Sequence, residues 1–195
     1  MRDLLHAIGE VERIGAGMPF VEAVYTINRV SQDFLVRPMG IFQLIDYVGI
    51  DVFRFIQDVM GKFLEENLSH PVVDAMVERG VLGGQNPDGT QKPGFLRYEK
   101  GRIAAVYDLD RRDYVPLDPK GWTAEADASL GPLPEGFRGW KALSGAPDRE
   151  AALRAHFDAV AAMKTPGADL ARRYVKRSRE IARHLVASGV AARPE

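Results

Sequence analysis

Apolar residues recur along this chain at two intervals, one helical and one extended. Leu4, Leu5, Ile8 and Val11 repeat at helical spacing, which predicts a helix over 1–14 closed by Gly15-Ala16-Gly17. Pro19 suits the first position of a second helix, running to about Leu35 and burying Phe20, Val21, Val24, Ile27, Phe34 and Leu35. Pro38 stops that helix, because it has no amide proton to donate and drives Arg37 out of helical geometry. Gly40 permits a tight reversal, after which Ile41, Leu44, Ile45 and Val48 share one face of a short helix. Gly49 fits a left-handed helix end, and Asp51 is placed to cap the next helix. That helix carries the strongest periodicity: Val52, Phe55, Ile56, Val59, Met60 and Phe63 fall at i, i+3, i+4, i+7, i+8 and i+11. Pro71 opens a shorter helix and Gly80 closes it. The stretch 37–52 is therefore the corner of a helical core.

The interval changes after Gly83. Residues 83–94 are rich in Gly, Pro, Asn and Asp, which is loop chemistry. Short strands are expected at 95–98, 102–107 and 114–117, with Gly101 and the charged run 108–113 turning between them. Residues 118–147 read as an irregular connector stapled to the body by Trp122, Phe137 and Trp140. The tail, 148–195, returns to helical spacing. Leu153, Phe157 and Val160 share a face, and Thr165-Pro166 reads as a cap followed by a first-turn proline. In the last helix Leu170, Tyr174, Ser178, Ile181 and Leu185 line one side, while Arg172, Lys176, Arg179 and Arg183 line another. The expected fold class is mainly α, with a small antiparallel β element near 95–117 and a helical tail.

Composition narrows the function classes. With 46% hydrophobic and 27% charged residues the chain is a globular protein rather than a disordered one. A net charge of −1 supplies no bulk field for nucleic acid or an acidic membrane. There is no cysteine, which removes disulfides, thiolate metal sites and cysteine nucleophiles, and fits a cytoplasmic protein. No apolar run approaches the roughly 20 residues that span a bilayer.

The corner resembles the helical C-terminal domain of the 3-hydroxyacyl-CoA dehydrogenases of fatty-acid β-oxidation, an architecture shared with 6-phosphogluconate dehydrogenases. That family carries Pro-Met-Gly-Pro-Phe, a Leu-Leu-Asp-like turn and Val-Gly-Leu-Asp. The matching residues are Pro38, Met39, Gly40, Phe42, Leu44, Ile45, Asp46, Val48, Gly49 and Asp51, with Ile41 in place of the second proline. Lys92-Pro93-Gly94-Phe95-Leu96-Arg97-Tyr98 is similar to the family's Gly-Lys-Gly-Phe-Tyr-x-Tyr ending. The resemblance covers roughly 1–117, and His184 to Val190 looks like the opening of a further copy of the domain. It implies an NAD-dependent oxidation of L-3-hydroxyacyl-CoA. In such enzymes the acyl-CoA lies between this domain and a Rossmann domain, and the helical domains pair as a homodimer. Pro38, Met39, Gly40 and Phe42 are the candidates for lining the acyl side. Asp46, an acid on an apolar helix, is read as a hydrogen-bonded structural carboxylate.

The family's redox parts find no counterpart in these residues. Gly15-Ala16-Gly17-Met18-Pro19-Phe20 begins like a dinucleotide fingerprint but lacks its third glycine and follows a helix. The span from Gly84 to Gly89 has the length of a phosphate loop, but Thr90-Gln91 comes next instead of Lys and Ser or Thr. His6, His70, His156 and His184 fit neither the family's histidine motif nor zinc-ligand spacing. Asn28, counted back from Pro38, matches the family's Ile-Asp helix rather than its functional asparagine. No catalytic, cofactor or metal residue is therefore assigned, and NAD is expected to bind outside this chain, leaving the isolated chain inactive. The alternative is a stand-alone helical interaction module without catalytic activity. Self-association is expected through residues 1–35 together with the helix 52–64.

Overall fold

A computed structural model describes residues 2–15, 17–64, 67–189 and 192. Met1, Ala16, Glu65, Glu66, Val190, Ala191 and residues 193–195 lie outside them, as does any structural reading of the sequence that rests on these positions. The chain folds as α1 (Arg2–Gly15), α2 (Phe20–Arg29), α3 (Ile41–Val48), α4 (Ile50–Leu64) and α5 (Pro71–Glu78), then three strands, then four further helices. The strands are β1 (Leu96–Glu99), β2 (Arg102–Asp108) and β3 (Asp113–Pro116). The later helices are α6 (Trp122–Leu130), α7 (Trp140–Leu143), α8 (Arg149–Ala162) and α9 (Pro166–Ala187).

Helix α2 is the central rod. Val21, Ala23, Val24, Thr26, Ile27 and Asn28 are all buried, so it is covered nearly all round. Its coat comes from α1, α3, α6 and β2. A single π-helical turn, Val30–Phe34, extends it and meets α9. The chain leaves that turn through Val36, whose φ of 49° is a left-handed conformation a β-branched residue rarely takes. Hydrogen bonds donated by the Val36 amide to the Asp33 carbonyl and by the Arg37 amide to the Gln32 carbonyl hold it there.

The strands form an antiparallel meander, β1-β2-β3, with Leu96 opposite Val106 and Val106 opposite Val115. Their starts fall within one residue of the positions read from the sequence. Phe95, Leu96, Ala105, Val106 and Tyr107 turn inward, and one core runs from Ala7 on α1 to Tyr174 on α9.

Three sequence expectations change. Residues 118–147 are not an irregular connector: they carry α6 and α7. Thr123, Ala126 and Leu130 form the buried side of α6, too small a set of apolar residues to register as periodicity. Trp122 does staple it, donating Nε1–H to the Pro116 carbonyl at 3.0 Å and meeting Tyr25 edge-on at 5.5 Å. Phe137 lies 5.8 Å from the His156 ring, whereas Trp140 keeps 36% of its surface exposed. Second, Asp51 sits inside the first turn of α4, where its charge complements the helix N-terminus rather than capping it. Third, α3 buries Ile41, Phe42, Ile45 and Asp46, leaving Leu44 and Val48 exposed.

Candidate functional site

The corner is held by polar groups inside the protein. The backbone amides of the first turn of α3 have no partner within their own helix. Here α2 caps them from outside. Asn28 Oδ1 accepts from the Phe42 amide at 3.1 Å and the Gln43 amide at 3.3 Å, and Ser31 Oγ accepts from the Ile41 amide at 2.8 Å. Gln43 completes the arrangement, its Oε1 accepting from the Gly40 amide at 2.8 Å. A Cβ on Gly40 would fall inside the Asn28 carboxamide, so only glycine admits this cap. The Ile41 amide explains one departure from the family pattern: a proline there would have no proton to give Ser31.

At the other end of α3, Asp46 joins the two motifs. Its side chain is fully buried, with Oδ1 accepting from the Phe95 amide at 2.7 Å and Oδ2 from the Leu96 amide at 2.8 Å and the Tyr98 hydroxyl at 3.2 Å. A Cβ on Gly94 would overlap the same carboxylate. The Asp46 carbonyl is taken as well, by the Gly84 amide at 2.7 Å and Gln91 Nε2 at 2.7 Å. Asp46 is thus the structural carboxylate expected, and Gly94, Phe95 and Tyr98 are the parts of the second motif that receive it. Burial pushes its carboxyl up to about 8, against the three donors, which favour the anion. Burial first, and then the Asp46 charge, pushes the Tyr98 phenol well above its usual range.

Of the four acyl-side candidates, Pro38 is exposed and Met39 half-buried, side by side at the surface of the corner. Gly40 and Phe42 lie beneath them, Phe42 packing on Phe95 at 4.9 Å. The structure therefore separates the set into two outer and two supporting residues. Asn28-Arg29 divides too: Asn28 is the interior cap, while Arg29 pairs with Asp33 and with Asp127 on α6, which also accepts from Tyr25. Burial first, and then the Asp127 charge, lifts the Tyr25 phenol to about 12.

Three of the four histidines make structural contacts. His70 Nδ1 accepts from the Val72 amide at the start of α5, and His156 Nε2 lies 2.8 Å from the Phe34 carbonyl. His6 meets Tyr174 edge-on at 4.8 Å. Among the described residues no group of three acidic or histidine side chains could hold a metal ion, and no helix is long and apolar enough to cross a membrane.

The sequence located only half of the outward face of α3 and α4: it offered helix 52–64 for self-association but read Leu44 and Val48 of α3 as buried. Leu44, Tyr47, Val48, Val52, Phe55 and Ile56 are each more than a third exposed, and Phe55 reaches 66%. The buried side of α4 is instead Ile50, Phe53 and Gln57, whose Nε2 donates to the Leu68 carbonyl at 2.6 Å. The apolar residues of 1–35 that the sequence offered for self-association mostly face inward, so the open surface is the α3–α4 face.

A mainly helical domain with a buried acidic tie between a proline corner and a short meander is the class these observations define. Residues 21–92 match the family described as 3-hydroxyacyl-CoA dehydrogenase, C-terminal domain. That interval begins on α2 and ends at the loop before Gly94, so it contains the whole cap of α3 and the Asp46 carboxylate, while the Phe95, Leu96 and Tyr98 donors lie just beyond it. A probable 3-hydroxyacyl-CoA dehydrogenase of Caenorhabditis elegans is 39% identical over 67 residues, covering 33% of this chain and 21% of that protein. The chain thus spans about a fifth of the length of that relative. No solved structure matches. The corner is accordingly of the dehydrogenase C-terminal type read from its motifs.

Proposed function

We propose that this chain supplies the helical part of an NAD-dependent L-3-hydroxyacyl-CoA dehydrogenase of fatty-acid β-oxidation in the cytoplasm, contributing an acyl-CoA-facing wall and a homodimer surface. The observation that carries the reading is the tie at Asp46. It fixes the family-like corner against the family-like meander, and it orients α3 so that Pro38 and Met39 emerge at one end. In this reading Pro38 and Met39 touch the acyl chain, while Gly40 and Phe42 set the depth of the wall.

The hydride acceptor and the base belong to a Rossmann domain outside these residues. The described residues do not fit a dinucleotide: the described strands are antiparallel, and the Gly15-containing turn ends a helix instead of joining a strand to one. No step of the oxidation is therefore assigned to these side chains.

The α3–α4 face supports the pairing. Apolar side chains exposed together on a globular surface mark a contact site, and Phe55, the most exposed of them, is its aromatic anchor.

Two measurements test the reading. Light scattering of the chain at tens of micromolar, well above weak-dimer dissociation constants, should give a dimer that Phe55→Glu converts to a monomer. A strictly monomeric parent chain refutes the pairing. NADH formation from 3-hydroxyacyl-CoA should be undetectable with the chain alone and appear when a nucleotide-binding domain of this family is added. Turnover by the chain alone would misplace the chemistry, and none in the mixture would favour the stand-alone interaction module.

A further inference from the structure

Beyond the segment that matches the dehydrogenase family lies a groove between α8 and α9, of about 670 Å³. Phe157, Val160 and Val175 supply its apolar lining, and Phe157 keeps 37% of its surface exposed. Lys176, Arg179 and Arg183 line it from α9, at spacings of three and four residues that place them on one helical face. None of these three cations has a carboxylate within ion-pair distance among the described residues. Glu180 also lines the groove, but Arg177 already engages it at 3.3 Å.

One end is closed. Arg172 reaches back from α9, donating to the Val160 carbonyl at 2.9 Å and the Met163 carbonyl at 2.6 Å, and it also engages Asp169. A second hollow of about 300 Å³ adjoins the groove and shares Phe157, Val175 and Arg179 with it. Leu35, beside the strained Val36, forms part of its wall. The volume falls in the range of small-molecule sites. A closed end suits a chain that stops there better than a helix, which needs a trough about 10 Å wide open at both ends.

We propose that this groove binds a single-chain anionic amphiphile, its alkyl chain on Phe157 and Val175 and its acidic head between Lys176, Arg179 and Arg183. Apolar burial holds the chain, and three cations on one rim select the charge of the head. The site does not depend on the dehydrogenase reading, since the residues lining the larger groove, from Phe157 to Arg183, all fall outside 21–92.

Calorimetric titration of the full chain with decyl phosphate, kept below its micelle concentration, should show one saturable site. Decyl maltoside, with the same chain and a neutral head, and inorganic phosphate, with no chain, should each bind at least tenfold more weakly. The double variant Lys176→Glu with Arg179→Glu, both at exposed positions, should lose at least tenfold affinity while keeping the parent circular dichroism. Phe157→Ser should lose a similar factor. Equal binding of decyl maltoside, an unchanged double variant, or uptake at many sites would each overturn the proposal. Stronger competition by an acidic amphipathic peptide than by decyl phosphate would overturn it too, assigning the groove to a protein partner.

Discussion

The corner around α3 and the helical pair α8–α9 are both helical, yet they are held by opposite means. In the corner, polar groups go inside and each finds a partner far along the chain: Asn28 and Ser31 reach 10–15 residues, and Asp46 reaches about 50. In the pair, the described ion pairs within α8 or α9 join residues three or four apart: Glu150 with Arg154, Asp169 with Arg172, and Arg177 with Glu180. Two ties reach farther: Arg173 on α9 meets Glu10 across 163 positions, and buried His156 on α8 lies 2.8 Å from the Phe34 carbonyl across 122. Burial works to raise the Glu10 carboxyl, but Arg13 and Arg173 together leave it below its ordinary value. Interior polar ties specify one geometry, because a missing partner leaves a buried group unsatisfied. Local surface pairs specify almost none. The family-like segment is the one built the first way.

That contrast can be broken most forcefully at Asp46. Asp46→Ala orphans two buried amides and a phenol, and should destabilise the chain by roughly 3–5 kcal/mol in urea unfolding. A loss under about 1 kcal/mol would mean that water or a rearranged strand replaces the carboxylate. Gly94→Ala, which drives a methyl into the same carboxylate, should cost about 2–3 kcal/mol; a neutral result would show that the loop before β1 yields freely.

The effect of pH sharpens the same point. The folded carboxyl of Asp46 titrates at about 8 against an ordinary 3.8, so the folded state holds the proton more tightly. Its contribution is complete below about pH 4 and is lost as pH rises through about 8. Melting temperature should therefore decline from pH 5 to 9, and Asp46→Asn should flatten that decline; an unchanged slope would assign it elsewhere. The smallest effect is expected in the tail, where Arg177→Ala should move stability by less than about 0.5 kcal/mol. A larger change would put the tail in the same class as the corner.

Much of the corner was legible because its signals are local. Pro38, Gly40 and Gly49 punctuate it, and Asp46 stands out as an acid among apolar neighbours. The meander was legible for the same reason, its turns being marked by Gly101 and the run 108–113. What escaped depends on distant partners. Nothing near Asn28 announces that its side chain caps a helix fourteen residues on, and nothing near Tyr25 or Arg29 points to Asp127. Helix α6 escaped because alanine and threonine fill its buried side. For α4 the periodicity marked the stripe that faces out, as its expected part in self-association required, but it did not show that Phe53 and Gln57 occupy the inward side.

The capping of α3 by α2 also orders events in time. Eight residues are too few for a helix to persist alone in water, and the groups that would stabilise its first turn sit on another rod. Helix α3 must then form together with α2, across a short loop whose closure is fast. The Asp46 tie spans a far longer loop and is expected to close afterwards, so a nascent chain should acquire its elbow before it fastens that elbow to the sheet.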